Sequence, residues 1–213
     1  MSAPANVANS ASAHPAPIDV PLARPLPVPP PIDWPTLKAA VAGCTACSLH
    51  GTRTQTVFGV GNENADWLFI GEAPGADEDR QGEPFVGRAG QLLNAMLFAM
   101  GLKREEVYIA NVLKCRPPNN RDPQGEEVAR CEPFLVHQID LIKPKLIVAM
   151  GRFAAHSLLK TEQALSQLRG QRLSFHGTPL IVTYHPAYLL RNPIDKRKAW
   201  TDLQLARAIM ATL

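Results

Sequence analysis

The sequence predicts an α/β fold: a three-layer α/β/α sandwich with a central, mostly parallel sheet. Three observations carry this. First, the apolar runs Trp67-Leu-Phe-Ile70, Val107 to Leu113 and Leu146-Ile-Val-Ala-Met150 have strand length and are nearly continuous, as strands buried on both faces are. Second, segments with apolar residues at helical spacing lie between them, and such alternation indicates a parallel sheet covered on both sides. Third, polar clusters follow the strands: Gly71-Glu-Ala-Pro-Gly75, Asn111, and His185-Pro186 after Tyr184. Open α/β sheets bind ligands outside the carboxyl ends of their strands, so these clusters should converge on one site.

The elements follow in order. Residues 1–32 are rich in Ala, Pro, Ser and Asn and end in Pro-Leu-Pro-Val-Pro-Pro-Pro. Such a segment buries too little apolar surface to fold; a disordered tail with polyproline II character is expected, acting as a spacer or as a docking segment for a protein partner. The folded domain spans 33–213. A helix over Trp34–Ala42 leads into Cys44-Thr-Ala-Cys47. Ala89 to Met100 carries Leu92, Leu93, Met96, Leu97 and Met100 at helical spacing, and Gly101 stops it. Asp122-Pro123 opens a helix, with Asp122 as N-cap and Leu135, Ile139 and Ile142 on one face, ending before Pro144. Gly151 begins the next helix. Arg172–Phe175 and Leu180–Tyr184 flank a His-Gly-Thr-Pro turn. A final helix from about Ile194 buries Trp200, Leu203 and Met210.

In a chain of 213 residues, a 46% hydrophobic content suffices for a core. No apolar stretch reaches membrane-spanning length, and the N-terminus lacks a secretory pattern. A soluble, cytoplasmic monomer is expected. Charge is uneven: six Lys/Arg face ten Asp/Glu over residues 33–109, against fifteen and eight from residue 110 onward. A basic half suits a polyanionic partner; a solvated charged face is the alternative.

Four cysteines in a reducing compartment argue for a metal or redox site over disulfides. Cys44 and Cys47 form C-x2-C, Cys115 follows a strand, and Cys131 lies inside a helix. Two ligands from the N-terminal segment and two from the core would staple one to the other. Tetrahedral thiolate sites suit zinc or an iron–sulfur cluster, and spacing alone leaves both open, beside four unconnected thiols.

Taken together, Gly71-Glu-Ala-Pro-Gly75, Pro84-Phe-Val-Gly-Arg-Ala-Gly-Gln-Leu-Leu93, Tyr108-Ile-Ala-Asn-Val-Leu-Lys-Cys-Arg-Pro117 and His185-Pro-Ala-Tyr-Leu-Leu-Arg191 resemble the type-4 uracil-DNA glycosylases, the iron–sulfur members of the uracil-DNA glycosylase superfamily. The resemblance runs from about Trp34 to the C-terminus and leaves out the Pro-rich tail. It implies a base-excision repair hydrolase that releases uracil from DNA, with Cys44, Cys47, Cys115 and Cys131 holding a 4Fe-4S cluster. Ala73 stands where other branches carry an Asp or Asn that positions water; type 4 has a small residue there.

The resemblance implies roles residue by residue. His185 donates a hydrogen bond to the departing base. Asn111 reads the uracil edge, since one amide offers both a donor and an acceptor. Phe85 stacks on the flipped base. Glu72 orients water or the ribose. Glu78 walls the pocket; for both Glu72 and Glu78, capping of backbone amides is the alternative. Gly71, Gly75 and Gly87 allow close backbone approach to substrate. Leu190, on the loop after His185, fills the gap left by the extruded base. Arg191, Arg116, Lys114 and Arg88 are candidate phosphate contacts. The competing readings are a non-catalytic nucleic-acid-binding iron–sulfur module and a superfamily member with altered base specificity or covalent trapping of abasic DNA. No Arg/Lys-rich insertion of the trapping kind lies between Asn119 and Gln124.

Overall fold

The computed structural model describes residues 33–213; the expected disordered tail and its protein partner lie outside the described residues. Helix α1 (Trp34–Ala42) starts on Asp33, whose carboxylate accepts from the Thr36 N–H at 2.9 Å, with Pro35 in the first turn where a missing N–H costs little.

The central sheet has six strands in the order β1-β3-β2-β4-β6-β5. They are β1 (Val60–Gly61), β2 (Trp67–Gly71), β3 (Tyr108–Asn111), β4 (Leu146–Met150), β5 (Leu173–Phe175) and β6 (Thr178–Thr183). The four inner strands run parallel, and the two edge strands pair antiparallel. Register brings Gly71 opposite Asn111 and Met150 opposite Thr183. The parallel strands therefore end nearly level, and the residues just beyond them emerge side by side.

The remaining helices are α2 (Ala76–Gln81), α3 (Arg88–Ala99), α4 (Gly125–Ile142), α5 (Arg152–Leu159), α6 (Leu165–Leu168), α7 (Pro186–Arg191) and α8 (Lys196–Met210). Side chains alternate between the two faces of the sheet. Leu68, Ile70, Ala110, Ile147 and Val182 face one layer with Leu135 and Ile139 of α4 and Ala154 and Leu158 of α5. Phe69, Ile109, Val148 and Ile181 face the other, with Leu93 and Leu97 of α3 and Leu203 and Ile209 of α8. This is the expected three-layer sandwich.

Several boundaries differ from expectation. Helix α4 starts at Gly125, not at Asp122-Pro123. Glu127 accepts from the Gln124 N–H at 2.9 Å and is gripped by Arg121, which fixes the first turn there and leaves Asp122 in the preceding loop. The segment after His185 is helix α7 instead of a loop, started by Pro186. In α8, Leu203 is buried while Trp200 and Met210 are half-buried against the core. Strand β1 and helix α2 carry no clear sequence pattern. Among the described residues, no helix is long and apolar enough to cross a membrane.

Candidate active site and cysteine site

A cleft of about 680 Å³ opens at the carboxyl ends of the parallel strands, lined by Glu72, Phe85, Asn111, Arg152, Tyr184 and His185 among others. The three polar clusters foreseen from the sequence do converge here.

Asn111 closes β3 and is 2% exposed, yet its Oδ1 has no hydrogen-bond partner among the described residues. A buried amide left unpaired is costly unless something completes it. Phe85 also reaches the cleft, from a left-handed backbone conformation (φ 54°) that a bulky residue rarely adopts. Its ring lies 5.4 Å from the His185 imidazole, tilted by 31°.

Two glycines make room for this arrangement. A Cβ on Gly71 would lie 2.4 Å from Asn111 Oδ1 and 2.5 Å from Phe85 Cζ, and one on Gly90 would lie 1.7 Å from the Phe85 carbonyl oxygen. Gly71 thus admits the protein's own Asn111 and Phe85, which corrects the expectation that it makes space for substrate. Gly75 and Gly87 are likewise crowded by the chain itself, by Glu78 and Asp77. Gly90, one turn into α3, is a positioning residue that the sequence reading passed over.

Glu78 lies on the cleft wall, but its carboxylate is already engaged: Oε2 accepts from Gly75 N–H at 3.1 Å, and Oε1 from Val86 N–H at 3.0 Å and Gly87 N–H at 3.1 Å. The capping alternative describes this carboxylate. It clamps the segment that carries Phe85, and Arg104 supports the same segment by donating to the Pro84 carbonyl at 2.5 Å.

His185 sits between β6 and α7 as N-cap of that helix. Its Nδ1 accepts from the Ala187 N–H at 3.1 Å. An Nδ1 that accepts leaves the proton of a neutral ring on Nε2. Burial, assisted by Arg191, lowers the His185 pKa to about 4, so the ring is neutral near pH 7. The site therefore holds a neutral Nε2–H donor.

Glu72 follows β2 directly. Burial first, and then the neighbouring Asp122, raise its pKa to about 7, while Arg152 opposes the rise. Asp122 and Arg152 form an exposed ion pair at 3.4 Å. Ala73 and Gly75 line the cleft beside Glu72. Tyr184 and Tyr188, absent from the sequence-derived set, also line it, stacked at 5.0 Å and 13°. Their places either side of the His-Pro pair were the available signal.

The candidate phosphate contacts separate. Arg88 and Arg191 are exposed, and Arg191 lines the cleft. Arg116 is half-buried and donates to Asn120 Oδ1 at 2.8 Å. Lys114 does not reach the surface: it is 1% exposed, with its Nζ donating to two protein oxygens, which rules it out as a phosphate contact. Leu190 is half-buried on α7, while Leu189 turns into the core.

Away from the cleft, Cys44, Cys47, Cys115 and Cys131 line one small cavity with Arg53 and Lys114. All four are free thiols. Leu49 and Leu113 pack around Cys115 and Cys131. Burial pushes the Cys115 thiol up, with Arg53 opposing and Cys47 and Cys44 adding to the rise. Burial likewise pushes Cys131 up to about 11, with Lys114 opposing. A bound metal cation would favour their thiolate forms. Among the described residues, no three His, Cys, Asp or Glu side chains converge tightly enough to hold a single metal ion. Four cysteines on one cavity are the donor type that zinc and iron–sulfur clusters both take. N–H donors to sulfur are present as well: Arg53 Nη1 to Cys115 Sγ at 3.1 Å and Lys114 N–H to Cys131 Sγ at 3.2 Å.

Comparison with known proteins agrees with this geometry. The family model of the uracil DNA glycosylase superfamily matches residues 58–204. A type-4 uracil-DNA glycosylase of Archaeoglobus fulgidus is 49% identical over 172 residues, which cover 77% of this chain and 86% of the relative. One from Thermotoga maritima is 45% identical, covering 80% and 91%, and one from Pyrobaculum aerophilum is 40% identical, covering 82% and 93%. The match spans the sheet, the cleft and both edges of the site, and on that ground the chain belongs to the uracil DNA glycosylase superfamily, beside its type-4 members.

Proposed function

We propose that this chain hydrolyses the N-glycosidic bond of uracil in DNA, releasing free uracil and leaving an abasic site. The observation that carries the reading is a neutral Nε2–H donor on His185 sharing a cleft with the unpartnered amide of Asn111 and the ring of Phe85. Family membership supports the same reading.

Cleavage of the C1′–N1 bond leaves its electron pair on the base, with negative charge on N1 and O2, and makes the sugar oxocarbenium-like. His185 is a pre-oriented donor for O2; no proton need move, because a neutral imidazole stabilises the anion by hydrogen bonding alone. Asn111 accepts from uracil N3–H and donates to O4, a pattern that cytosine reverses. Phe85 stacks on the extruded ring. Glu72, when ionised, orients water toward C1′ and takes up the proton released on attack, while Ala73 leaves space for that water. Arg88, Arg116 and Arg191 contact phosphates, and Leu190 fills the vacated stack. Cys44, Cys47, Cys115 and Cys131 hold a 4Fe-4S cluster, which when bound supplies a cross-link between the segment after α1 and the end of β3.

The test is incubation with DNA containing one uracil, followed by hot alkali. Strand scission at the uracil supports the reading. Binding without scission points to a non-catalytic nucleic-acid module, and an adduct that survives denaturation points to covalent trapping; either outcome defeats it.

A further inference from the structure

Lys114 is a fully buried lysine between the two sites. Its Nζ donates to the Asn111 carbonyl at 2.8 Å and to Gln138 Oε1 at 2.6 Å. Gln138 is itself held by donating to the Phe58 carbonyl at 3.0 Å and Tyr108 Oη at 3.3 Å. Both acceptors of the ammonium are neutral oxygens, and none of the ion pairs among the described residues includes Lys114. A buried ammonium without a counter-charge is strongly disfavoured. The nearby groups that would carry negative charge once a metal is bound are the cysteine sulfurs: the Lys114 backbone N–H donates to Cys131 Sγ at 3.2 Å, Cys115 is the next residue, and Lys114 is among the residues that line the cysteine cavity.

We propose that Lys114 is a positioning residue that couples the cysteine-bound group to the base-reading amide: its ammonium balances the charge of the cluster and, through the Asn111 carbonyl, fixes the end of β3 on which the Asn111 side chain stands. The proposal rests on the reading above, in which the cysteines hold a cluster and Asn111 pairs with uracil. Four thiolates around an iron–sulfur core leave net negative charge, and nearby cations and N–H donors set how readily such a core takes up an electron. Arg53 at Cys115 Sγ supplies one cation; Lys114 supplies another, and alone of the two it also bonds a cleft residue, at the Asn111 carbonyl.

Two substitutions in the full-length, cluster-loaded protein separate the parts. Lys114→Met keeps the side chain's bulk and removes both the charge and the bond to Asn111. Gln138→Glu is nearly isosteric, keeps the Lys114–Asn111 bond, and offers Lys114 a competing counter-charge. It also forms an ion pair in place of an unpaired charge, so it keeps the proposal testable where Lys114→Met does not fold. Both should lower the cluster's reduction potential in an EPR-monitored titration, because each removes net positive charge next to it. Only Lys114→Met should slow single-turnover uracil excision, by about tenfold for the loss of one buried hydrogen bond, with affinity for abasic-site DNA unchanged.

An unchanged potential in Gln138→Glu overturns the charge role. Wild-type excision in a folded Lys114→Met protein overturns the coupling to Asn111. Wild-type protein that contains no iron defeats the cluster reading and this proposal with it. Wild-type protein that holds iron but does not excise uracil defeats the proposed activity, and the potential measurement still decides the charge role.

Discussion

The cleft and the cysteine cavity are both built from residues far apart in sequence, but they stand differently without a ligand. In the cleft, nearly every polar group is already placed. Nδ1 of His185 has the Ala187 N–H, Glu78 has three backbone amides, and Phe85 is locked over Gly90; the Asn111 amide is what waits for a partner. In the cysteine cavity, burial pushes Cys115 and Cys131 up and the sulfurs repel one another's ionisation. One region is set as folded except for the Asn111 amide; the other, on the proposed reading, is completed by a bound metal group. Damage to the first should therefore cost chemistry and spare the fold, and damage to the second should cost both.

The largest effect should come from Cys131→Ala. On the proposed reading it removes a cluster ligand inside α4 and leaves buried Cys115 with the partly exposed Cys44 and Cys47, so iron, sulfide and solubility should fall together, because metal binding and folding are coupled. Iron and sulfide assays with sedimentation check this. A soluble, iron-free and fully active Cys131→Ala protein would break the comparison.

His185→Ala tests the other side. The single-turnover rate should fall by about two to three orders of magnitude, the usual cost of one pre-oriented donor to a developing anion, while cluster absorbance and binding to abasic-site DNA hold. Near wild-type cleavage would remove His185 from the mechanism and return attention to Glu72.

Gly71→Ala is subtler. The new Cβ collides with Asn111 Oδ1 and Phe85 Cζ, and overpacking of this kind costs about 1–3 kcal/mol. A lower Tm with a disproportionate loss of uracil excision and an intact cluster is the expected pattern. Loss of stability alone, with activity preserved, would show that the Asn111–Phe85 geometry tolerates movement.

The smallest effect belongs to Glu72. Its pKa is raised from the ordinary 4.5 to about 7. If the ionised form orients water, the rate should climb about tenfold per pH unit below 7 and level above it, and Glu72→Gln should flatten that limb. The stability consequence has the opposite slope. A raised carboxyl favours the folded, protonated form, so its contribution is fully present below pH 4.5 and lost as pH rises through 7. Denaturant midpoints at pH 5 and 8, compared between wild type and Glu72→Gln, check the sign.

Much of this was legible because it is local or periodic. Continuous apolar runs announced β2 and β4, and helical spacing announced α3 and the buried face of α4. Where the sequence misled, a tertiary partner was responsible. Asp122-Pro123 has the local signature of a helix start, yet Arg121 and the Gln124 N–H on Glu127 place the start two residues later. Lys114 sits among motif residues and reads as one more basic contact; only the fold shows it pointing inward at Gln138, twenty-four residues away.

What the sequence by itself determined is the class of fold, the convergence of three polar clusters at the strand ends and the identity of the four cysteines. Strand and helix periodicity and the geometry of parallel sheets fix these before any long-range contact forms. The tertiary structure decided the state of each group: which nitrogen of His185 carries its proton, that Asn111 Oδ1 is left unpaired, that the Glu78 carboxylate is taken up by backbone amides, and that Lys114 is buried against the Asn111 carbonyl and Gln138. Protonation, burial and hydrogen-bond completion depend on what lies within a few ångströms in space, and those neighbours come from segments that the linear sequence keeps apart.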